Sequence, residues 1–497
     1  MKLLFLVFEQ PNFDTFYLLA KARRNSGSVQ TIFYSPYYLP RTRDNEARSS
    51  ELGAAYLTEV TALGGARDPV LLLGQTHSHL CTNAPRAIKQ SIRTPFTRRL
   101  RTRLRSLVAS VWVRLLLRTK THQAIMRQWV SYYRQQLSQI ERFLSHVAVD
   151  CVILPEDNPE RPSCGWITIA HRFNIPSIVI SYGAVTPEEA AETYFEDATH
   201  LITQSRLGRV FAFFFPWWIK NHRGRQLSRL PIVQALAAEA FAVALTDPWT
   251  LNSGNSDAMI VESDMSRSHW LNAKINPDRL YVAGNPWFDQ LGSPDKSPQR
   301  QQLVHHDGLP SSRPLLLCAF PPNQYPHRAQ AEFPSYDALV EFWFEVLESL
   351  STLSVIISPH PTILEKDLEQ LRRHRFAVIP GGVGPLISSC DLYLATVSST
   401  IKWARAAGKP VINYDVYRYN YQDYAADPCI LTTGSTSGFR EIMRRMDTDA
   451  SYRQRLLDES KDGLRWGKID GCSTERIMAL LTAVVKQNAH SAGNSVG

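Results

Sequence analysis

Hydrophobic and polar positions along this chain follow two rhythms. Short runs of apolar and β-branched residues recur: LLFLVF, VQTIFYS, CVIL, IPSIVIS, AMIVES, PLLLCAF, SVIIS, DLYLA and KPVINY. Between them lie longer segments in which apolar residues return every third or fourth position, such as FDTFYLLAKARRN, WITIAHRFN, SRSHWLNAKI, DALVEFWFEVLESL, ILEKDLEQLRRH and TERIMALLTAVVKQ. Uninterrupted runs suit strands buried on both faces, and the intervening period is that of helices with one apolar face. Strand and helix in alternation predict parallel sheets covered by helices. The expected fold class is therefore α/β, with two doubly wound Rossmann-like domains facing a cleft at the carboxyl ends of their strands.

The alternation runs once as far as VAGNPWFDQL, stops over GSPDKSPQRQQLVHHDGLPSSR and restarts at PLLLCAF. The interrupted stretch is rich in Pro, Ser and Gly and has no apolar period, which marks a linker. The domains expected are 1–291, with helical and aromatic insertions, a linker at 292–313, a second domain at 314–487, and a disordered tail at 488–497. Within the first domain one long helical stretch runs from about 97 to 147 with a break near 120, and DPVLLLG reads as a strand.

Length agrees with that division, because 497 residues exceed what a single hydrophobic core usually serves. With 44% hydrophobic and 20% charged residues, the composition is that of a folded soluble chain. Cysteines stand at 81, 151, 164, 318, 390, 429 and 472 with no CxxC pair, which points to reduced thiols in a cytoplasmic compartment. The opening MKLLFLVFEQ lacks a small-residue cleavage site and reads as a core strand, not a signal peptide. No run is long enough for a membrane-spanning helix.

The net charge of +9 is concentrated. From Arg93 to Lys120 there are eight arginines, one lysine and no acid. At about 100° per residue, Leu100, Leu104, Leu107, Val108, Val111 and Leu115 share one sector, while Arg98, Arg99, Arg101, Arg103 and Arg105 fall outside it. Two readings follow: a helix docked on the core through its leucines with a solvated basic face, or a helix lying on anionic lipid. A second patch, RVFAFFFPWWIKNHRGRQLSR at 209–229, sets aromatic residues beside Lys220, Arg223, Arg225 and Arg229, a mixture suited to a headgroup interface. Peripheral contact at the inner membrane face through 97–118 and 209–229 is the expectation. Without zinc-finger, RRM or helix-turn-helix signatures, and with its arginines in one segment, the chain is not expected to bind nucleic acid.

Candidate chemistry gathers at strand ends. In SPHPT, His360 precedes a proline, is held extended, and projects as a donor toward a phosphate or ribose. In DLYLATVSSTIKW, Ser398, Ser399 and Thr400 offer hydroxyls where a strand turns into a helix, with Lys402 in its first turn. That arrangement serves an anion or an ordinary helix cap. The loop PPNQYPH adds Asn323, Gln324 and His327. In the first half, CVILPEDN ends a strand in two acids, Glu156 and Asp157, whose side chains point opposite ways on an extended chain. Glu156 is the favoured general base and Asp157 the second choice, with a helix-capping pair as the ordinary alternative. Arg161, His171, Tyr182 and Asn285 are further acceptor-side candidates. No DxD motif suited to a divalent cation is present, so neither metal nor cofactor is expected.

The order strand-PPNQ, strand-HP, strand-SST-helix-GKPV resembles the C-terminal, nucleotide-binding half of GT-B glycosyltransferases of bacterial surface polysaccharide synthesis. Its HP and paired-serine motifs are similar to those of capsule sialyltransferases, Kdo transferases and teichoic acid glycerophosphotransferases, and VAGNPWFDQL resembles the GNP-x-FD segment closing the N-terminal domain of that fold. The resemblance covers about 150 to 485. It implies that His360, Ser398, Ser399 and Thr400 hold the phosphate of a nucleotide-sugar donor, with Asn323 and Gln324 nearby and a glycan or glycolipid as acceptor. The related acidic motif of the sialyltransferases ends in glycine where this chain has Asn158. CMP-sugars are the favoured donors and UDP-sugars remain open. A UDP-N-acetylglucosamine 2-epimerase-like isomerase, a CDP-glycerol-type glycerophosphotransferase and a non-catalytic assembly protein are the alternatives.

Overall fold

The computed structural model describes residues 1–22, 29–36, 39, 42–58, 96–181, 187–202, 205–291, 300, 310, 312–325, 331–360, 363, 365–374, 376–379, 382–396, 398–419 and 422–493. The chain forms two compact units: Met1–Val261 with Arg267–Ala283 and Thr474–Gly497, and Glu262–Ser266 with Gly284–Ser473. The expected strand DPVLLLG, Tyr182, His327 and nearly all of 292–313 lie outside the described residues.

In the first unit, β1 (Lys2–Leu6), β2 (Gln30–Ser35), β3 (Ala55–Thr58), β4 (Cys151–Leu154) and β5 (Ser177–Ile180) join one sheet. The antiparallel hairpin of β6 (Ile219–His222) and β7 (Arg225–Ser228) follows, and β8 (Ala258–Val261) and β9 (Leu280–Val282) complete the sheet. Its order is β3-β2-β1-β4-β5-β8-β9, with every pairing parallel. The alternation of side chains sorts the strands onto two cores. Leu4, Leu6, Ile32, Val152 and Leu154 face the layer formed by the helices Gln123–His146, Ser163–Arg172 and Ile232–Ala240. Leu3, Phe5, Phe33, Cys151 and Ile153 face the other way, onto Phe13 and Phe16 and onto Ile477, Met478, Leu481 and Val484 of the last helix, Ser473–Gly493.

That last contact corrects the sequence-derived boundaries. The C-terminal helix belongs to the first unit, since its apolar stripe covers an open face of the first sheet. The helix also runs on to Gly493, past the expected start of a disordered tail. In the other direction, Gly284–Leu291 joins the second unit, where Phe288 and Leu291 enter its core.

The second unit restarts the pattern with β10 (Leu315–Ala319), β11 (Ser354–Ser358), β12 (Ala377–Val378), β13 (Leu392–Ala395), β14 (Val411–Tyr414) and β15 (Ile430–Thr433). Its order is β12-β11-β10-β13-β14-β15, again all parallel. The edge strand β12 pairs with β11 through two residues, Ala377 and Val378. Both sheets are doubly wound, and strand order reverses between β1 and β4 in one and between β10 and β13 in the other.

The long helical stretch divides near residue 120 as expected, into Phe96–Leu116 and Gln123–His146. The first of these is rolled opposite to the core-docked reading. Leu104, Leu107, Val108, Val111 and Leu115 are exposed, while Arg105, Ala109, Val113 and Leu116 are buried. Arg105 explains the roll. Its guanidinium pairs with Glu239 of the helix Ile232–Ala240 and donates to the carbonyls of Leu245 and Thr246 at 3.1 and 3.2 Å. Glu239 also accepts from the indoles of Trp217 and Trp218 at 2.8 and 2.7 Å, and Arg105 lies 4.3 Å above the Trp217 ring.

The second basic and aromatic patch is likewise rearranged. Phe211, Phe215 and Trp218 are buried. Lys220 pairs with Glu188 at 2.7 Å, Arg223 with Glu192 at 2.8 Å and Arg225 with Glu196 at 3.5 Å, while Arg229 is buried against Glu160 at 2.7 Å. These four cations are neutralised by neighbours that sequence spacing does not reveal. The hairpin turns at Arg223 and Gly224 with φ of 47° and 77°, the paired left-handed residues of a type I′ turn, in which glycine relieves the strain.

Candidate functional site

In doubly wound sheets ligands bind beyond the carboxyl ends of the strands, where the strand order reverses. In the first unit the loops at that point follow β1 and β4, so they contain Glu9 and the PEDN segment. Asp157 is fully buried, and Cys164 Sγ donates to its carboxylate at 3.2 Å. Its backbone N–H donates to Asn252 Oδ1 at 2.7 Å, and the Asn252 N–H donates to the Asp157 carbonyl at 2.9 Å. A Cβ at Gly254 would stand 1.6 Å from Asp157 Oδ2, so this close approach requires glycine. Glu156, by contrast, keeps partial access to solvent.

Arg161 lies between Glu156 and Glu9. Its Nε is 3.6 Å from Glu156 Oε1, and its Nη2 pairs with Glu9. Asn158 Nδ2 donates to Glu156 Oε1 at 3.3 Å, and the Asn158 side chain accepts from the Glu160 N–H at 3.0 Å, which ties the turn together. Burial raises the Glu156 carboxyl to about 7; Arg161 and the Asn158 hydrogen bond oppose that rise, and Glu9 and Glu160 add to it. The result is a carboxyl near its midpoint at neutral pH, able to accept or give up a proton. Glu9 is not among the residues that the sequence pattern singles out. Its signal is an acid directly after the first apolar run, LLFLVF, at the carboxyl edge of the sheet.

In the second unit β11, β10 and β13 are consecutive and parallel, so their carboxyl ends form one edge. That edge gathers His360, Asn323, Gln324, Ser398, Ser399 and Thr400. The loop after β10 is fixed from several sides: the Phe320 N–H donates to the Ser358 carbonyl at 3.0 Å, Tyr336 donates to the Pro321 carbonyl at 2.8 Å, and Tyr417 donates to the Pro322 carbonyl at 2.7 Å. Two prolines suit this path because no N–H is required of them. Asn323 is exposed and its Oδ1 accepts from the Tyr325 N–H at 3.1 Å, while the Gln324 N–H faces Tyr417 Oη at 3.5 Å. His360 is half-buried, and burial pushes its pKa down to about 4, so the ring is neutral at pH 7 with one N–H to donate.

The serine and threonine run does several things at once. Thr400 Oγ1 is hydrogen-bonded to buried Tyr393 of β13 and, at 2.7 Å, to Ser398 Oγ. Ser399 stands at the start of the short helix Thr400–Ala406 and makes no side-chain capping bond. Two of the three hydroxyls therefore brace the strand-to-helix turn, while Ser399 is not used as a cap. Lys402 is largely buried, with Nζ 3.6 Å from Glu262 Oε1, so this cation already has a carboxylate neighbour.

Two of the acceptor-side candidates make local bonds. His171 Nε2 meets Asp257 Oδ2 at 2.9 Å beside Ser177, at the amino end of β5 and away from the ligand-facing edge. Asn285 is buried and accepts from the Trp287 N–H at 3.0 Å, capping the helix Pro286–Leu291.

No known family model matches the chain, and no curated protein matches it in sequence. Solved structures match along its whole length. A structure from Listeria monocytogenes described as a UDP-N-acetylglucosamine 2-epimerase is 11% identical, covers 98% of this chain and 97% of its own, and gives a TM-score of 0.50. The UDP-GlcNAc 2-epimerase from Neisseria meningitidis bound to UDP-GlcNAc is 13% identical over 97% and 100% of the two chains, with a TM-score of 0.49. A glycosyltransferase from Rickettsia africae is 8% identical over 98% of each chain, with a TM-score of 0.47. At such identities the likeness is one of fold. The strand orders and the whole-chain correspondence show an α/β protein with two Rossmann-like domains of the GT-B kind.

Proposed function

We propose that this protein is a metal-independent glycosyltransferase, moving a sugar from a nucleotide-sugar donor to a surface-polysaccharide or glycolipid acceptor. The observation carrying this reading is positional: Glu156 follows the strand at one reversal of strand order, and His360, Asn323, Gln324 and Ser398–Thr400 share the sheet edge at the other. In this reading the second unit holds the donor, with neutral His360 and Ser399 donating to its phosphate and Asn323 and Gln324 to its polar edges. Lys402, shared with Glu262, is a lesser contributor. The first unit supplies the base. A bond forms between the acceptor oxygen and the anomeric carbon as the bond from that carbon to the phosphate oxygen breaks. The electron pair leaves on the nucleotide, and the acceptor proton passes to Glu156.

The HP and SST resemblance favours a CMP-sugar, and a UDP-sugar is the second choice. Thermal shift against CMP, CDP, UDP and GDP is the first test, since a ligand that binds the folded state raises its melting temperature. One nucleotide raising it, with the rise lost in His360→Ala, supports the reading, and no response to any of the four overturns it. A 2-epimerase is the second reading, favoured by the fold shared with the Listeria structure. Incubation with UDP-N-acetylglucosamine and no acceptor separates the two, because epimerisation yields the 2-epimer without one.

A further inference from the structure

The helix Phe96–Leu116 carries a face that no described residue covers. Leu104, Leu107, Val108, Val111 and Leu115 occupy an arc of about 100° and all are exposed, Leu107 at 65%. The arc continues onto the helix Arg206–Phe214. There Phe214 rests on Trp112 with ring centroids 5.5 Å apart, and Phe213, 80% exposed, stands edge-on against Phe214. The opposite side of the first helix is locked by Arg105 in its pocket with Glu239, Trp217 and Trp218, so the leucines have no route inward by rotation.

Among the described residues, the charge around this face has one sign. Arg103, Arg114, Arg118, Lys120, Arg206 and Arg209 are exposed, and none of them forms an ion pair among the described residues. No Asp or Glu lies between Arg93 and Ile140, nor between Ala198 and Ala238. On the helix, Arg103 and Arg114 border the apolar arc on the side away from Trp112. The cations on the hairpin, by contrast, are already matched by carboxylates.

We propose that this face docks on an anionic lipid bilayer, with Leu107, Val111, Leu115 and Phe213 entering the headgroup boundary and the six cations meeting lipid phosphates. Charge complementarity selects this occupant. A second copy placed symmetrically on the same face would bring the arginines of one molecule toward those of the other, whereas an anionic surface accepts apolar side chains and cations together. No helix among the described residues is long and apolar enough to cross a membrane, so the contact lies on the surface. It is independent of which reaction the strand-end residues support.

The test is co-sedimentation of the full chain with vesicles of phosphatidylglycerol and phosphatidylcholine, and with vesicles of phosphatidylcholine alone. Binding is expected to the anionic vesicles only, and to weaken as salt rises. Leu107→Glu combined with Val111→Glu is expected to reduce binding at least tenfold. Arg114→Gln and Arg118→Gln should each weaken it roughly fivefold and flatten the salt dependence. Melting temperature and nucleotide-induced thermal shift report that these exposed substitutions leave the fold and the ligand site intact. Equal binding to both vesicle types overturns the proposal. So does failure of the wild-type protein to bind either, including the case in which sedimentation velocity shows a dimer that the Leu107→Glu, Val111→Glu variant dissociates.

Discussion

Glu156 and Asp157 are neighbours of the same chemical type with different surroundings. Asp157 is wedged against Gly254 and held by Cys164, while Glu156 meets Arg161, Asn158 and partial solvent. Since burial raises Glu156 to about 7, a step that needs its ionised form should accelerate with pH and level off above that midpoint. For the proposed transfer, Glu156→Gln is expected to lower the rate at least about 100-fold and to abolish the rising limb, as read from a pH–rate profile. Stability follows the same group with a definite sign. A carboxyl with a raised folded pKa favours the folded state below its ordinary value of 4.5 and loses that contribution as pH rises through about 7. His360 acts oppositely at the acid end: its stability contribution is full above 6.5 and falls away as pH drops toward about 4. Thermal melts from pH 4 to 8 should therefore show a shallower acid loss for His360→Gln and a shallower change between pH 4.5 and 7 for Glu156→Gln. Sequence pattern brought both residues to notice, but nothing in it revealed the burial that sets their titration.

At the scale of elements, the helix Phe96–Leu116 shows how one buried pair outweighs a stripe of leucines. Removing one partner of a buried ion pair leaves the other charged and unpaired, and typically costs about 3–5 kcal/mol. Glu239→Ala strands Arg105 and also unpairs two indoles, so a loss at the upper end of that range is expected in denaturant unfolding of the first unit followed by tryptophan fluorescence. An Arg105→Met, Glu239→Leu double variant should recover only part of it, since neither residue then carries a buried charge but the two indoles stay unpaired. The strands illustrate the opposite case. CVIL, SIVI, AMIV and SVIIS were recognisable as strands because all their residues are buried, a pattern that depends on the strand itself and little on its neighbours.

For the whole molecule, the division into units depends on contacts that skip along the chain. The last helix closes a core begun by the first strand, with Ile477, Met478, Leu481 and Val484 beside Leu3, Phe5 and Phe16. A chain ending at residue 473 should therefore lose cooperative unfolding of the first unit while the second retains its transition, as measured by calorimetry. If instead the second unit melts earlier and the first is unaffected, the assignment of the helix to the first sheet is wrong. The same long-range logic gathers the second unit's candidate residues: PPNQ, His360 and SST lie far apart in the chain, yet they follow strands that are consecutive in the sheet.

The sequence by itself determined the class of fold, the positions of most of the described strands though not of β3, β6, β7 or β15, the break near residue 120 and the strand-end location of the polar residues. These follow from the local spacing of apolar side chains, which encodes which face of an element must be hidden. Only the tertiary structure decided which neighbour hides it. The roll of the basic helix, the pairing of the hairpin cations, the choice of Asp157 as the buried acid, the entry of Glu9 beside Arg161 and the return of the C-terminal helix each depend on a partner dozens to hundreds of residues away. Periodicity carries no address, so partner identity becomes visible only when the chain is folded.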